Sequence, residues 1–166
     1  MDRVFFQAPN ATNPADLEAF EELVVVGAEV NPAGLAARIK KAELLGFAYR
    51  DDKIVGVGAI KNPTTSHRKT LTKESGFDLA AEKYPLEIGW LFVKEEARGA
   101  QLGRQLLDGL VAAAGKRGMY GTSRVDVAHG KVHASLEKRG FVRVGRPFPS
   151  LDRKTEILLF AREPTA

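Results

Sequence analysis

An α/β fold with a mixed sheet is the class this sequence predicts, on three observations. Strand-length apolar runs bounded by Gly, Pro and Asp recur from residue 44 onward. Segments between and before them repeat their apolar residues at helical spacing and carry cap residues at their ends. No internal repeat, linker or low-complexity tract divides the 166 residues, so a single domain over 1–166 is expected.

Residues 14–28 read as a first helix: Asn13 caps it, Pro14 takes the first helical position, and Leu17, Phe20, Leu23 and Val24 form one stripe. Asn31 and Pro32 repeat the signal for a second helix over 32–43, carrying Leu35, Ile39 and Ala42. Two apolar runs, 44–50 and 53–61, flank Asp51 and Asp52 as a hairpin. Residues 62–85 hold two prolines and a basic cluster and read as a long, partly ordered connection with a helical turn before Tyr84. A strand follows at 86–93, then a helix at 102–117 with Leu106, Leu107, Leu110, Val111 and Ala114 at core spacing, stopped by Gly115 and Gly118. A strand at 119–128, a helix at 131–139 closed by Gly140, and strands at 141–146 and 155–162 complete the chain. The expected order is two helices, two strands, a loop, then βαβαββ.

Composition narrows the function. A hydrophobic fraction of 44% with 28% charged residues is that of an ordinary globular protein. The net charge of +4 arises from 25 basic residues interspersed with 21 acidic ones, without a long basic block, so nucleic acid is not indicated. The absence of cysteine removes disulfides, thiol catalysis and thiolate metal sites, and fits a cytoplasmic setting. The N-terminal residues lack the apolar core of a signal peptide, and no window nears the ~18 apolar residues of a membrane span. His129 and His133 stand four apart without a third ligand at suitable spacing, so no metal is expected. Ser123, Ser135 and Ser150 lack a nucleophile signature, and no GxSxG occurs.

The segment PLEIGWLFVKEEARGAQLGRQLL, residues 85–107, concentrates the functional information. A strand, a glycine-bearing turn and a helix start succeed one another, and a helix beginning just after RGAQLG presents unpaired N–H groups and the positive end of its dipole to an anion. Phosphate is the natural guest. Other nucleotide motifs fit worse: there is no GxxxxGKT loop, and Gly56 and Gly58 lack a third glycine and a following helix.

That segment resembles the acyl-CoA-binding signature of the GCN5-related N-acetyltransferases (GNAT superfamily): an Arg or Gln, two residues, Gly, one residue, then Gly or Ala. Here the frame is Arg98, Gly99, Ala100, Gln101, Leu102, Gly103, with Gln101 at the usual central glycine. The strand LEIGWLFV is similar to the family strand that binds the pantetheine arm, and HASLEKRGFVRVG to the family's closing helix and strand, so the resemblance spans nearly the whole chain. It implies the acetyltransferase fold, a mixed and mostly antiparallel sheet flanked by helices, with acetyl-CoA as cosubstrate. It places Leu91, Phe92, Val93, the 98–103 turn, Arg104 and His129 at the cofactor, His129 near a family Asn. Because the phosphate ligands would be main-chain amides, Gln101 is tolerable provided its φ stays negative. Arg98, Arg104 and Arg117 either assist or are solvated.

Acetyl transfer from a thioester to an amine needs a neutral amine, a polarised carbonyl and a protonated leaving thiolate. The resemblance makes Glu87 the base. Strand alternation sets it with Gly89, Leu91 and Val93 on one side, opposite the core residues Leu86, Ile88, Trp90 and Phe92. Gly89 marks a candidate bulge, and the freed N–H of Leu91 a candidate carbonyl donor. Leu136 occupies the place of the family Tyr that protonates the thiolate, which leaves Tyr120, Tyr84, water or no dedicated acid. His67, in the run HRKT, reads as a solvated loop residue.

The resulting expectation is an acetyl-CoA-dependent N-acetyltransferase acting on a primary amine of unidentified nature by direct attack in a ternary complex. Residues 62–85 form part of its acceptor wall, no membrane is involved, and a homodimer is left open. Two rivals stand beside it: a non-catalytic acyl-CoA-binding regulatory module, and nucleic-acid binding through 67–73 and 139–153.

Overall fold

The computed structural model describes residues 1–27, 30–125 and 130–166. Its elements are β1 (Asp2–Gln7), α1 (Pro14–Gly27), α2 (Leu35–Lys40), β2 (Leu44–Arg50), β3 (Lys53–Lys61), α3 (Thr65–Ser75), β4 (Leu86–Val93), α4 (Leu102–Ala114), β5 (Met119–Arg124), α5 (Gly130–Lys138), β6 (Val142–Pro149) and β7 (Glu156–Arg162). The strand order is β1-β2-β3-β4-β5-β7-β6. β4 and β5 run parallel, whereas β1/β2, β2/β3, β5/β7 and β6/β7 are antiparallel, so the sheet is mixed and mostly antiparallel as expected. The chain forms two compact units, Met1–Asn62 with Ile88–Ala113, and Pro63–Glu87 with Ala114–Ala166.

In the first unit the hairpin turns through Asp51 and Asp52, both at positive φ (50° and 65°), as a two-residue connection between twisted strands requires. β1 precedes both helices, where the sequence reading placed no strand. Its edge position explains the omission: Arg3 and Phe5 stay exposed, and the other four residues are only partly buried. Phe6 lies over Gly46 and Gly109, where an added Cβ would come within 3.0 Å and 2.1 Å of its ring. Asp2 and Arg50 add a two-armed ion pair at 2.9 and 2.8 Å. Asn13 caps α1 as expected, accepting from the Asp16 amide at 2.8 Å. Asn31 accepts instead from the Ala33 amide, and Gly34 at φ 71° makes a turn, so α2 begins at Leu35 rather than Pro32. α1 and α2 bury Phe20, Leu23, Val24, Leu35 and Ile39 with Phe47, Val57 and Trp90. The other core of this unit joins Ala48, Val55, Ala97, Leu102 and Leu106, with Leu91 and Val93 against it.

In the second unit the segment read as a loop contains α3. Thr64 caps it by accepting from the His67 amide at 3.1 Å, and Gly76 ends it at φ 76°. Leu71 and Ser75 are its buried residues, too few for apolar periodicity to reveal a helix. The turn expected before Tyr84 is present, with the amides of Lys83 and Tyr84 both donating to the Ala80 carbonyl. Leu71, Leu79, Tyr84, Tyr120, Phe148 and Leu159 form the core. β6 runs on to Pro149 through an irregularity between Val144 and Phe148. β5 ends at Arg124, and the rest of the strand expected to 128 lies mostly outside the described residues. Among the described residues no helix is long and apolar enough to cross a membrane.

Candidate functional site

β4 carries the sequence into two functional regions. After Val93 the chain makes a short 3-10 turn, Glu95–Ala97, then passes through Arg98–Gly103 into α4. Arg98 holds this turn to its own strand: its Nε donates to the Val93 carbonyl at 2.9 Å, with the guanidinium 5.8 Å from the Phe92 ring centre. Gly99 sits at φ 91°, a conformation that glycine adopts without strain.

Gln101 has φ 63°, which overturns the expected negative value. Its carbonyl accepts the first helical bond, from the Gln105 amide at 3.0 Å. The chain therefore needs a left-handed residue just before the helix whichever side chain it carries, and Gln there costs about 1 kcal/mol relative to glycine. The Gln101 side chain is exposed, and a helix start of this kind has backbone amides that can receive an anion.

Gly103 lies in the first turn of α4, and a Cβ added there would meet only Val93 Cγ2, at an ordinary 3.7 Å. The protein's own packing does not require this glycine. Its missing side chain keeps the first helical turn open to close approach by a phosphate. Arg104 is exposed on the same helix, and Arg117, beyond its end, bonds the Ala114 carbonyl. Leu91 and Val93 pack toward Leu102 and Leu106, whereas Phe92 packs with the α1 and α2 residues. The irregular residue of β4 is Trp90 at φ 55°; Gly89, the expected one, is not at positive φ. The Trp90 ring makes an edge contact with Phe20 and lies 4.5 Å from Lys61 Nζ, contacts that hold it in this strained conformation.

The other region is built of side chains. Glu87 is 3% exposed, although charged groups rarely sit so deep without partners. His67, from the first turn of α3, brings Nε2 to 3.2 Å from Glu87 Oε1 and 3.3 Å from Oε2. The solvated loop residue of the sequence reading is therefore a carboxylate partner on a helix. Glu87 also lies in register with Tyr120 across the parallel β4/β5 pair. The Tyr120 hydroxyl is buried and has no hydrogen-bond partner among the described residues. Burial first, and the Glu87 charge second, push this phenol well above its ordinary range and hold it protonated. Arg68 stands 5.6 Å over the Tyr120 ring and donates to the Leu79 carbonyl at 3.2 Å. A buried carboxylate, an imidazole beside it and a protonated phenol are groups of the kind that proton transfer uses.

Other candidates are placed as follows. His133 is occupied structurally, its Nε2 lying 3.0 Å from the Arg124 carbonyl and 3.1 Å from Ser123 Oγ. Leu136 is buried on α5 and supplies no proton. Tyr84 is buried in the core against Phe77. His129 lies outside the described residues. Among the described residues no group of three metal-ligating side chains occurs.

The sequence model of the acetyltransferase (GNAT) family matches residues 12–141. No curated protein matches the sequence. Solved structures share the fold at low identity. An acyl-CoA N-acyltransferase from Pseudomonas aeruginosa superposes with a TM-score of 0.70 at 15% identity, over 98% of this chain and 99% of the other. The ribosomal-protein-S18-alanine N-acetyltransferase from Escherichia coli gives 0.68 at 14%, over 100% and 96%. The yncA protein from Salmonella typhimurium, solved with its cofactor acetyl-CoA, gives 0.66 at 15%, over 100% and 95%.

Proposed function

We propose that this chain, which belongs to the acetyltransferase (GNAT) family, is an acetyl-CoA-dependent N-acetyltransferase that acts on a primary amine by direct attack in a ternary complex. Acetyl-CoA is the family's cosubstrate, and the Arg98–Gly103 turn fits its diphosphate through free amides, the helix dipole and the space left by Gly103. Arg98 and Arg104 add positive charge to the same stretch. The observation that carries the catalytic reading is the buried Glu87 carboxylate, in register with Tyr120, whose protonated hydroxyl has no hydrogen-bond partner among the described residues.

Glu87 takes a proton from the incoming ammonium, freeing the nitrogen lone pair to attack the thioester carbonyl. Tyr120 gives its proton to the departing thiolate and recovers one from the acetylated nitrogen. It thereby fills the role that Leu136 cannot. Both groups come from neighbouring strands, which fix side-chain positions more closely than loops do.

Thiol release from acetyl-CoA, measured across polyamines, amino acids, aminoglycosides and peptide N-termini, tests this reading. Turnover with one class, abolished in Glu87→Gln, is the expected result. Coenzyme A binding without turnover on any amine would favour a regulatory module, a reading to which the buried Leu136 lends support.

A further inference from the structure

The proposed acetyl transfer leaves a proton behind, and that proton needs a way out. An aliphatic amine arrives as R–NH3+. Glu87 takes one of its protons. The nitrogen lone pair then forms the C–N bond, the C–S electron pair leaves with sulfur, and the second nitrogen proton replaces the one Tyr120 gives to the thiolate. Ammonium plus thioester thus yields amide, thiol and one surplus proton, which sits on Glu87 at the end of every cycle. A carboxyl group whose side chain is 5% exposed has poor access to water, yet it must be emptied before the next turnover.

We propose that His67 is the relay that carries this proton from Glu87 to solvent. The inference rests on the reading of Glu87 as the base. The His67 side chain is 41% exposed, so a single ring spans the distance from the buried oxygens to the surface. Nε2 is hydrogen-bonded to Oε2 at 3.3 Å, close enough to accept its proton, and lies 3.2 Å from Oε1. The Thr64 cap fixes the His67 backbone, so the ring approaches Glu87 from a defined helical turn. Glu87 in its acid form passes the proton to Nε2. The resulting imidazolium loses a proton to water or buffer, which restores a neutral ring and a carboxylate. Among the described residues, Arg68 over the Tyr120 ring and Tyr120 itself, in register with Glu87, are further charged or titratable groups of this cluster. Neither can accept the proton, because a guanidinium has no acceptor and the phenol is already protonated.

The test measures thiol release by the full chain with acetyl-CoA and the most active amine of the panel. His67→Ala is expected to lower kcat by about tenfold or more, within the range for positioned proton transfer, with KM for acetyl-CoA unchanged. Added imidazole is expected to restore kcat in a saturable manner, because the ring it replaces is reachable from solvent. Imidazole leaves Glu87→Gln unrescued. His67→Gln, which keeps a polar group near the carboxylate, serves as a second variant, with thermal unfolding confirming that both fold. Wild-type turnover in His67→Ala beside an inactive Glu87→Gln overturns the relay alone. A loss in both His67 variants that imidazole leaves untouched also overturns it, because a purely structural contact gives that result. Full turnover in Glu87→Gln overturns the base and the relay together, and thiol release with no amine overturns the transferase reading itself.

Discussion

The Arg98–Gly103 turn and the Glu87 cluster are joined by one strand but built on opposite principles. As the proposed anion site, the turn offers main-chain amides and the absence of side chains, at Gly99 and Gly103, and its cationic groups are exposed. The cluster works through three side chains from α3, β4 and β5, two of them almost fully buried. Gln101 keeps the left-handed conformation at φ 63°, and binding an anion by backbone tolerates substitution wherever the conformation is kept. Moving protons does not, because each step depends on an atom of a given kind within hydrogen-bond reach.

The largest expected effect sharpens this contrast on the catalytic side. Glu87→Gln is nearly isosteric and should lower kcat by about a hundredfold or more. Coenzyme A affinity, measured by calorimetry, should stay unchanged, and a parallel loss of binding would merge the two regions into one.

Gly103→Asp is the reverse experiment. The added Cβ has room, and a carboxylate in the first helical turn favours the helix by a few tenths of a kcal/mol or more. It also puts negative charge at the proposed diphosphate site. Coenzyme A affinity should fall about tenfold, or about 1.4 kcal/mol, while the melting temperature holds or rises. Undiminished affinity would show that the turn is not the anion site.

Gln101→Gly removes the strained φ of 63° and should stabilise the fold by about 1 kcal/mol in denaturant titration, without loss of cofactor affinity. A destabilised variant would mean that the Gln side chain makes a contribution larger than the strain.

Tyr120→Phe separates stability from catalysis within the cluster. Turnover should fall, whereas thermal stability at neutral pH should hold or rise slightly, since the hydroxyl forms no hydrogen bond among the described residues. The folded phenol titrates above its ordinary 10.0, so its contribution is full below pH 10 and is lost as pH rises further. The variant should lose this alkaline limb, and an unchanged limb would point to another group.

The smallest effect lies in the turn between β6 and β7. The Ser150 hydroxyl, the Lys154 amide and Arg124 hold the Asp152 carboxyl at about 2, below its ordinary 3.8. The stabilisation is present above pH 3.8 and fades as pH falls toward 2. An acid titration of Asp152→Asn should lack that small loss, while the Glu87 cluster is unaffected.

Much of the turn was legible along the chain because its signals are local. RGAQLG after a strand and before a helix needs no partner elsewhere to be read, and only the sign of φ at Gln101 escaped, since a backbone conformation follows from the closure of the whole turn. α3 carried its own cap at Thr64 and its own stop at Gly76. They went unread because its inward face holds one apolar residue, Leu71, between His67 and Ser75. β1 escaped for a related reason, as an edge strand whose Arg3 and Phe5 face water and which fully buries none of its residues.

The sequence by itself determined the class of fold and the strand, glycine turn and helix start of the candidate anion site, because periodicity, caps and glycine spacing act over a few residues, while Glu87 was singled out by its place in the family resemblance. Only the tertiary structure decided that His67, twenty positions away, meets Glu87, and that Tyr120 lies in register beside it. Such pairs form when strands and helices close long loops, and nothing in the local pattern of either partner specifies the other.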